Sequence, residues 1–307
     1  MLPLDLRPML AYPSGPFDSP DHVFEIKWDG IRALACLDGG TTLYSRQGRE
    51  LTPRYPELAS LHRHWPRETI IDGEIVCLVK GKPSFYHLQR RNFQIKPNPK
   101  QIQDYPVLFI AFDVLWQKKD LRPWPLLERK ALLGKTEGAS HLVISEHIST
   151  HGLEYFRLVA QRGLEGIVAK EKTSPYLSGQ RSRYWLKCKV VQKINLTIFG
   201  YLPGMGGFAS LILGAPWRNT WRYIGNVGSG FSHREKDRLL DLFRPGEKPP
   251  LQGLPKDVSR QARWVRPDLV CQVNYLELTP EGLLRHPSYK GLVDGPFHDH
   301  PWGESKS

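Results

Sequence analysis

Four short apolar runs in this chain carry charged residues at alternate positions, and that pattern limits how it can fold more than any other feature. Glu25 and Lys27 close one run. Asp72 and Glu74 share one parity of residues 70–76, and Glu165 and Lys170 bracket another apolar stretch. Trp185, Lys187 and Lys189 alternate with Leu186, Cys188 and Val190. Successive side chains of a strand point to opposite faces, so the runs with Glu25 and Lys27, Asp72 and Glu74, and Lys187 and Lys189, read as strands, each put those charges on one face. Charged side chains are almost never fully buried unless paired or bound to a ligand. The runs are therefore expected to be strands whose carboxylates and lysines converge on a shared ligand.

At 307 residues the chain exceeds what one hydrophobic core usually organises, so two domains are expected, 1–190 and 191–307. Hydrophobic residues make up 40% and charged residues 24%, which suits a folded chain, and the 27 glycines and 26 prolines point to many strands and turns. The longest apolar stretches, such as residues 107–112, fall far short of the ~20 residues a membrane helix needs, and the N-terminus lacks a signal-peptide layout. A soluble, cytoplasmic and nucleoid-associated protein is expected. Cys36, Cys77, Cys188 and Cys271 are scattered without a Cys-x-x-Cys pair, which argues for buried thiols and against a disulfide framework or structural zinc. The net charge of +12 suggests a polyanionic partner, and both parts of the chain are basic, so no charged tail explains it.

Within 1–190, residues 23–37, 69–79, 107–115, 166–170 and 184–190 read as strands. Residues 54–64 read as a helix behind a Thr52 N-cap and Pro53, residues 126–133 and 153–161 as two more, and residues 90–103 as an exposed basic loop. Strands that do not alternate regularly with long helices argue for the α+β class. After 190, strand runs at 196–201, 210–214, 221–227 and 270–278 surround one helix at 232–243, where Ser232 and Glu235 have capping-box spacing. About five strands and one helix suit a small Greek-key barrel of the OB type.

Carboxylates at 74 and 165 suit Mg²⁺, whereas lysines at 27, 187 and 189 suit phosphate. Together they describe a nucleoside triphosphate site without a P-loop, since no Gly-x-x-x-x-Gly-Lys-Ser/Thr is present. Lys27, at the mouth of a turn, is the candidate nucleophile. A free lysine titrates near ~10.4, so a nucleophilic one needs neighbouring cations or desolvation to shed its proton. By composition Phe112 and Trp185 read as ordinary core aromatics, Arg90 and Arg91 also read as groups touching nothing, and alternation sends Cys188 to the core.

In their order and spacing, Lys27-Trp28-Asp29-Gly30-Ile31-Arg32, Ser45-Arg46-Gln47-Gly48, Asp72-Gly73-Glu74-Ile75-Val76, Phe112-Asp113-Val114-Leu115, Glu165-Gly166-Ile167-Val168-Ala169-Lys170 and Trp185-Leu186-Lys187-Cys188-Lys189 form one set. That set resembles the ATP-dependent DNA ligases of the covalent nucleotidyltransferase superfamily, in particular the bacterial ligase D and ligase C type. Trp264-Val265-Arg266-Pro267 and Leu284-Arg285-His286-Pro287 look like the ligase D subgroup. The resemblance implies an N-terminal adenylation domain with antiparallel sheets and a C-terminal OB-fold β-barrel.

It also implies roles. Lys27 would attack the α-phosphate of ATP and hold AMP as a phosphoramidate, while Lys187 and Lys189 neutralise that phosphate and help free Lys27 of its proton. Glu74 and Glu165 would bind Mg²⁺ or Mn²⁺, and Phe112 would stack on adenine with Glu25 near the base edge. Arg32 and Arg46 would contact the ribose and then the 5′-phosphate of the nick. Asp29 and Lys170 fall inside the same motifs and join the nucleotide-binding set. The implied partner is nicked or broken double-stranded DNA, bound by a monomer without membrane contact, with a Ku-type end-binding protein as a further candidate in end joining.

One element departs from the family pattern. The barrel domain of these ligases ends in Arg-x-Asp-Lys, whereas here Leu292 is followed by Val293, Asp294 and Gly295, with no lysine until Lys306. Either Lys290 substitutes, or the first step is slow while nick sealing survives. An RNA ligase or mRNA-capping guanylyltransferase would share the lysine chemistry, and a non-catalytic nucleic-acid-binding relative would share the fold. The missing zinc motif argues against an NAD-dependent ligase.

Overall fold

The computed structural model describes residues 6–134, 140–279 and 281–293. The chain divides into two compact units, Met1–Val190 and Val191–Ser307. In the first unit, one sheet orders its strands Leu10–Pro13, Arg181–Lys189, Gly166–Glu171, Ser19–Ile26 and His147–Thr150. The other runs Thr41–Ser45, Ile31–Leu37, Thr69–Val79, Val107–Gln117 and Leu142–Ile144, with Lys82–Pro83 beside Thr69–Val79. Most ladders are antiparallel. At one edge of each sheet the pairing is parallel, Leu10–Pro13 with Arg181–Lys189 and Leu142–Ile144 with Val107–Gln117, so the expected antiparallel sheets are in fact mixed.

Strand parity sorts the apolar side chains of this unit into three cores. Ala33, Ala35, Leu37, Ile71 and Ile75 pack under Tyr55, Leu58, Leu61 and Leu88 on the outer face of the second sheet. Phe24, Ile167, Ala169 and Cys188 pack beneath the helix Gly152–Gln161 on the outer face of the first. Leu34, Cys36 and Ile70 point the other way and meet Val23, Tyr176 and Trp185 between the sheets. Arg32, Asp72, Glu25, Lys170 and Lys187 each stand two residues from a member of that middle core in the same strand, so they too enter the space between the sheets.

Two local expectations fail for identifiable reasons. Residues 52–64 form three short 3₁₀ turns, Thr52–Arg54, Pro56–Leu58 and Leu61–His64, instead of one helix. Pro56 has no N–H to donate and drives Tyr55 out of the helical region, to φ −131° and ψ 62°. The Thr52 hydroxyl accepts from the Leu43 amide at 2.9 Å rather than capping a helix. Residues 90–103, expected as an exposed loop, include the helix Phe85–Asn92 and, after an Asn98–Gln101 capping box, the helix Pro99–Asp104. Arg91 is fully buried: its guanidinium donates to both Glu57 oxygens at 2.9 and 2.7 Å and to the Arg54 carbonyl at 2.6 Å.

The second unit is built on one sheet ordered Leu251–Gln252, Thr220–Val227, Gly207–Trp217, Gln192–Gly204, Val270–Tyr275 and Ser288–Val293, with Arg263–Trp264 beside Gln192–Gly204. One apolar cluster gathers Leu196, Ile198, Leu211, Leu213 and Leu239, and another gathers Phe199, Ile212, Tyr223 and Val258. The helix His233–Leu242 starts as its sequence implies, the Ser232 hydroxyl accepting from the Glu235 amide at 3.1 Å. The Glu235 carboxylate accepts from the Tyr289 hydroxyl at 2.7 Å, so the reciprocal half of the capping box is replaced by a tertiary bond. The ladders trace an open path among the described residues. Lys290 is exposed on the last strand, while Asp294, Gly295 and Lys306 lie outside the described residues.

Removing one partner of a buried ion pair leaves an uncompensated charge, at a cost of about 3–5 kcal/mol. Arg91→Met should therefore lower unfolding free energy by roughly that amount in urea titrations, and Glu57→Leu added to it should recover a large part of the loss.

Candidate active site

A cavity of about 120 Å³ opens between the sheets of the first unit. Glu25, Phe112, Lys170 and Trp185 line it together with Lys27, Arg32, Glu74 and Lys187, and Met9, Leu10 and Ala11 of the N-terminal strand complete it. Strands from both sheets contribute, which is why charges distant in sequence meet here.

Glu25 forms the most enclosed part. Its side chain is 2% exposed and its carboxylate lies 2.9 Å from Lys130 and 3.0 Å from Lys170, and it accepts from the Ser145 hydroxyl at 3.0 Å. Burial would raise its pKa, but the two ammonium groups outweigh that and hold it below the ordinary carboxylate range. Lys170 is held between rings, its ammonium 4.3 Å from the centroids of both Phe112 and Trp185. Burial pushes Lys170 down to about 8, with Glu25 opposing and Lys130 reinforcing the shift.

Beside this cluster Arg32 makes a forked pair with Asp72, Nε to Oδ1 at 2.5 Å and Nη2 to Oδ2 at 2.6 Å, and its guanidinium carbon stands 4.5 Å from the Phe112 centroid. Burial would lower the Arg32 pKa, but Asp72 holds it above its ordinary value. The Tyr176 hydroxyl donates to Asp72 at 2.6 Å and accepts from the Met9 amide at 2.9 Å, which ties the N-terminal strand to the arginine's partner. Behind Phe112, Asp113 is buried and paired twice with Arg129 at 2.9 Å. Burial raises the Asp113 pKa against that pairing.

Lys27 sits on the Glu165 carboxylate at 2.5 Å, and Lys189 on its other oxygen at 2.8 Å. Burial would raise the Glu165 pKa, but the two lysines hold it below its ordinary value. Gly166 lets this happen: its φ is 144° and an added Cβ would collide with the Cys188 carbonyl, so only glycine allows the two backbones to approach. Lys187 is lowered by burial and then by Arg181, Lys189 and Lys27. Burial pushes Glu74 up to about 7 against the pull of Arg32 and Lys27.

The structure thus gathers Glu25, Lys27, Arg32, Glu74, Phe112, Lys170 and Lys187 around one cavity, with Glu165 and Lys189 joined to Lys27. Glu165 and Lys189 themselves do not line it, and two further expected residues stand apart from both groups. Arg46 is exposed in the turn after Thr41–Ser45, and Asp29 is half-buried outside the cavity wall. Lys27 is paired directly with Glu165, which the sequence reading placed in the same site as a metal ligand. Phe112 is 7% exposed with cations against its ring. Sequence reading missed Lys130, Ser145, Tyr176 and Met9. Lys130 follows Arg129 on a short helix, where a charge run normally means a solvated face, and the other three carry no local signal.

Among the described residues no group of three or more His, Cys, Asp or Glu side chains could hold a metal ion. Two acids stand at this site, Glu74 in the cavity lining and Glu165 against Lys27. That donor set fits Mg²⁺, which keeps several waters and takes one or two carboxylates plus substrate phosphates.

A lysine titrating near about 8 in the folded chain and near 10.5 when unfolded leaves the unfolded state with more bound protons between those values. The contribution of this lysine to stability should rise with pH across that window. Measured by urea unfolding, the free-energy difference between the parent protein and Lys170→Met should move in the parent's favour from about pH 7.5 to about pH 9.5.

Comparison with known proteins is consistent with this geometry. Residues 8–189 match the profile of the ATP dependent DNA ligase domain, and residues 204–294 match that of the ATP dependent DNA ligase C terminal region. The multifunctional non-homologous end joining protein LigD of Mycolicibacterium smegmatis is 34% identical over 303 residues, covering 94% of this chain but 38% of that protein. The chain therefore spans little more than a third of that relative's length. The SPbeta prophage-derived DNA ligase-like protein LigB of Bacillus subtilis is 32% identical over 293 residues, covering 93% of this chain and 98% of that protein. Mycobacterial DNA ligase D, solved in complex with ATP and MES, superposes with a TM-score of 0.56 at 32% identity over 94% of this chain and 95% of that one. The chain belongs to the ATP-dependent DNA ligase family.

Proposed function

We propose that this chain seals 5′-phosphate/3′-hydroxyl nicks or breaks in duplex DNA through a lysyl-AMP intermediate on Lys27, in the service of end joining. The observation that carries the reading is the pairing of Lys27 and Lys189 on Glu165 beside a cavity lined by Lys187, Lys170, Phe112 and Trp185. In the first step the Lys27 amine, its proton released, forms a bond to the α-phosphorus of ATP as the bond to pyrophosphate breaks. An amine held as an ion pair is no nucleophile, so Glu165 must let go of it first. Lys187 and Lys189 then neutralise the phosphoryl charge that develops.

Glu74 and Glu165 would hold Mg²⁺ or Mn²⁺, which would neutralise phosphate charge in the loaded site. Glu74, titrating near 7 in the absence of a cation, is a group that a divalent ion would ionise. Glu25 and Lys170 belong to the base end of the cavity and Arg32 to the sugar and nick phosphate. Stacking of adenine on Phe112 requires Arg32 or Lys170 to give up its place against the ring. Arg46, like Arg32, is assigned to the ribose and then the nick 5′-phosphate, and Asp29 to the nucleotide.

We read 1–190 as the adenylation domain and 191–307 as an OB-type domain. The long strands and the capped helix His233–Leu242 of the second unit support the OB reading, and a second short helix, Lys256–Gln261, adds to the one that the sequence implied. Phosphate contacts by lysines and arginines on both units would make DNA binding sensitive to salt and blind to sequence. A monomer acting at the nucleoid beside a Ku-type protein fits this role.

Incubation with α-labelled ATP and Mg²⁺ followed by denaturation and mass spectrometry should find AMP on Lys27. Lys27→Ala should leave only background label, and Lys187→Ala should slow labelling by about 10²-fold or more. Label from GTP in place of ATP, or sealing of nicked RNA but not nicked DNA, would refute the assignment.

A further inference from the structure

We propose that Lys130, which does not line the cavity, is a positioning residue that fixes the Glu25 carboxylate for selection of a 6-amino purine. The inference deepens the ligase reading and rests on it. An ammonium has three N–H donors, and Lys130 has three acceptors within reach. They are the Glu25 carboxylate at 2.9 Å, the Ser145 carbonyl at 3.2 Å and the Phe112 carbonyl at 3.3 Å. Those acceptors belong to Ser19–Ile26, to the chain after Leu142–Ile144 and to Val107–Gln117, three segments drawn from both sheets. One buried side chain, 5% exposed, therefore sets the depth of Glu25 and the position of Phe112 relative to each other.

The two carboxylate oxygens of Glu25 are not used alike. Oε2 accepts from Ser145 and Lys170, each at 3.0 Å. Oε1 is buried and has the Lys130 ion contact, but receives no hydrogen bond of good geometry. Glu25 lines the cavity, so Oε1 keeps an accepting position for a ligand. A carboxylate accepts and cannot donate. The edge of adenine offers an amino donor at position 6, whereas a 6-oxo purine offers a second acceptor and is repelled. Lys130 stands against that oxygen, and Ser145 and Lys170 anchor its twin, Oε2. Without Lys130 the carboxylate is free to turn toward Lys170, and the discrimination loses its geometric basis.

The test uses the full chain and covalent labelling of Lys27 by α-labelled ATP and, separately, α-labelled inosine triphosphate. Lys130→Met should lower labelling by ATP about tenfold or more in kcat/KM while labelling by inosine triphosphate changes less than about threefold, so the preference shrinks. If Lys130 works through Glu25, adding Lys130→Met to Glu25→Gln should change ATP labelling by less than about twofold. Equal losses with both nucleotides, additive losses in the double variant, or ATP labelling kept within about twofold would each overturn the proposal. Should Lys130→Met fail to fold by circular dichroism, Lys130→Gln, which keeps a polar group but loses the charge, decides in its place. A fall of about threefold or more in the ATP-to-inosine ratio supports the proposal, and an unchanged ratio overturns it. A parent protein that ATP does not label on Lys27 would instead refute the ligase reading, and the two failures are thereby distinct.

Discussion

The site depends on one repeated arrangement, a glutamate shared between two lysines. Glu25 stands between Lys130 and Lys170, and Glu165 between Lys27 and Lys189. Burying any of these charges alone would cost several kcal/mol, and pairing within a low-dielectric space offsets that cost. Each cluster nevertheless keeps one cation in excess. Positive charge left over in a partly enclosed cavity is stabilised by an anion, and a nucleotide phosphate or a DNA phosphodiester is such an anion.

This arrangement constrains the fold as well as the chemistry. The six side chains come from three strands of the first sheet, from residues flanking those strands and from the helix Leu126–Ala131, so the clusters form only when strands and helix pack in register. A one-residue slip in Gly166–Glu171 would turn Lys170 away from Glu25 and bring Ala169 in. Gly166 holds that register, because its contact with the Cys188 carbonyl leaves no room for a side chain. The apolar groups between the sheets, Leu34, Ile70, Val23 and Trp185, hold the layers together while the charges fix their relative position.

The two clusters differ in what they can release. Lys27 is 23% and Lys189 37% exposed, so a polyphosphate arriving from solvent can compete with Glu165 for both. Lys130 and Lys170 are 5% and 3% exposed, and water does not compete for Glu25. The first cluster is suited to exchange its partners during a reaction. The second is suited to keep its geometry unchanged through every step, as a recognition element must.

Much of this was legible in the chain because strand parity is local. Alternation alone puts Glu25 with Lys27, Asp72 with Glu74, and Lys187 with Lys189, and it sends Cys188 to the opposite face, where it is fully buried. The strands 69–79 and 166–171 and the Ser232 cap follow from residue types a few positions apart. The OB-type barrel is a reading that the ladders leave open. What tertiary structure alone decided are the pairings over long separations. Arg91 finds Glu57, Lys130 finds Glu25, Tyr176 finds Asp72, and Lys27 rests on Glu165, 138 residues away. The physical reason is range. Parity and capping act within one strand or turn and leave their mark in adjacent letters, whereas the partner of a buried charge depends on which distant segments pair and pack together.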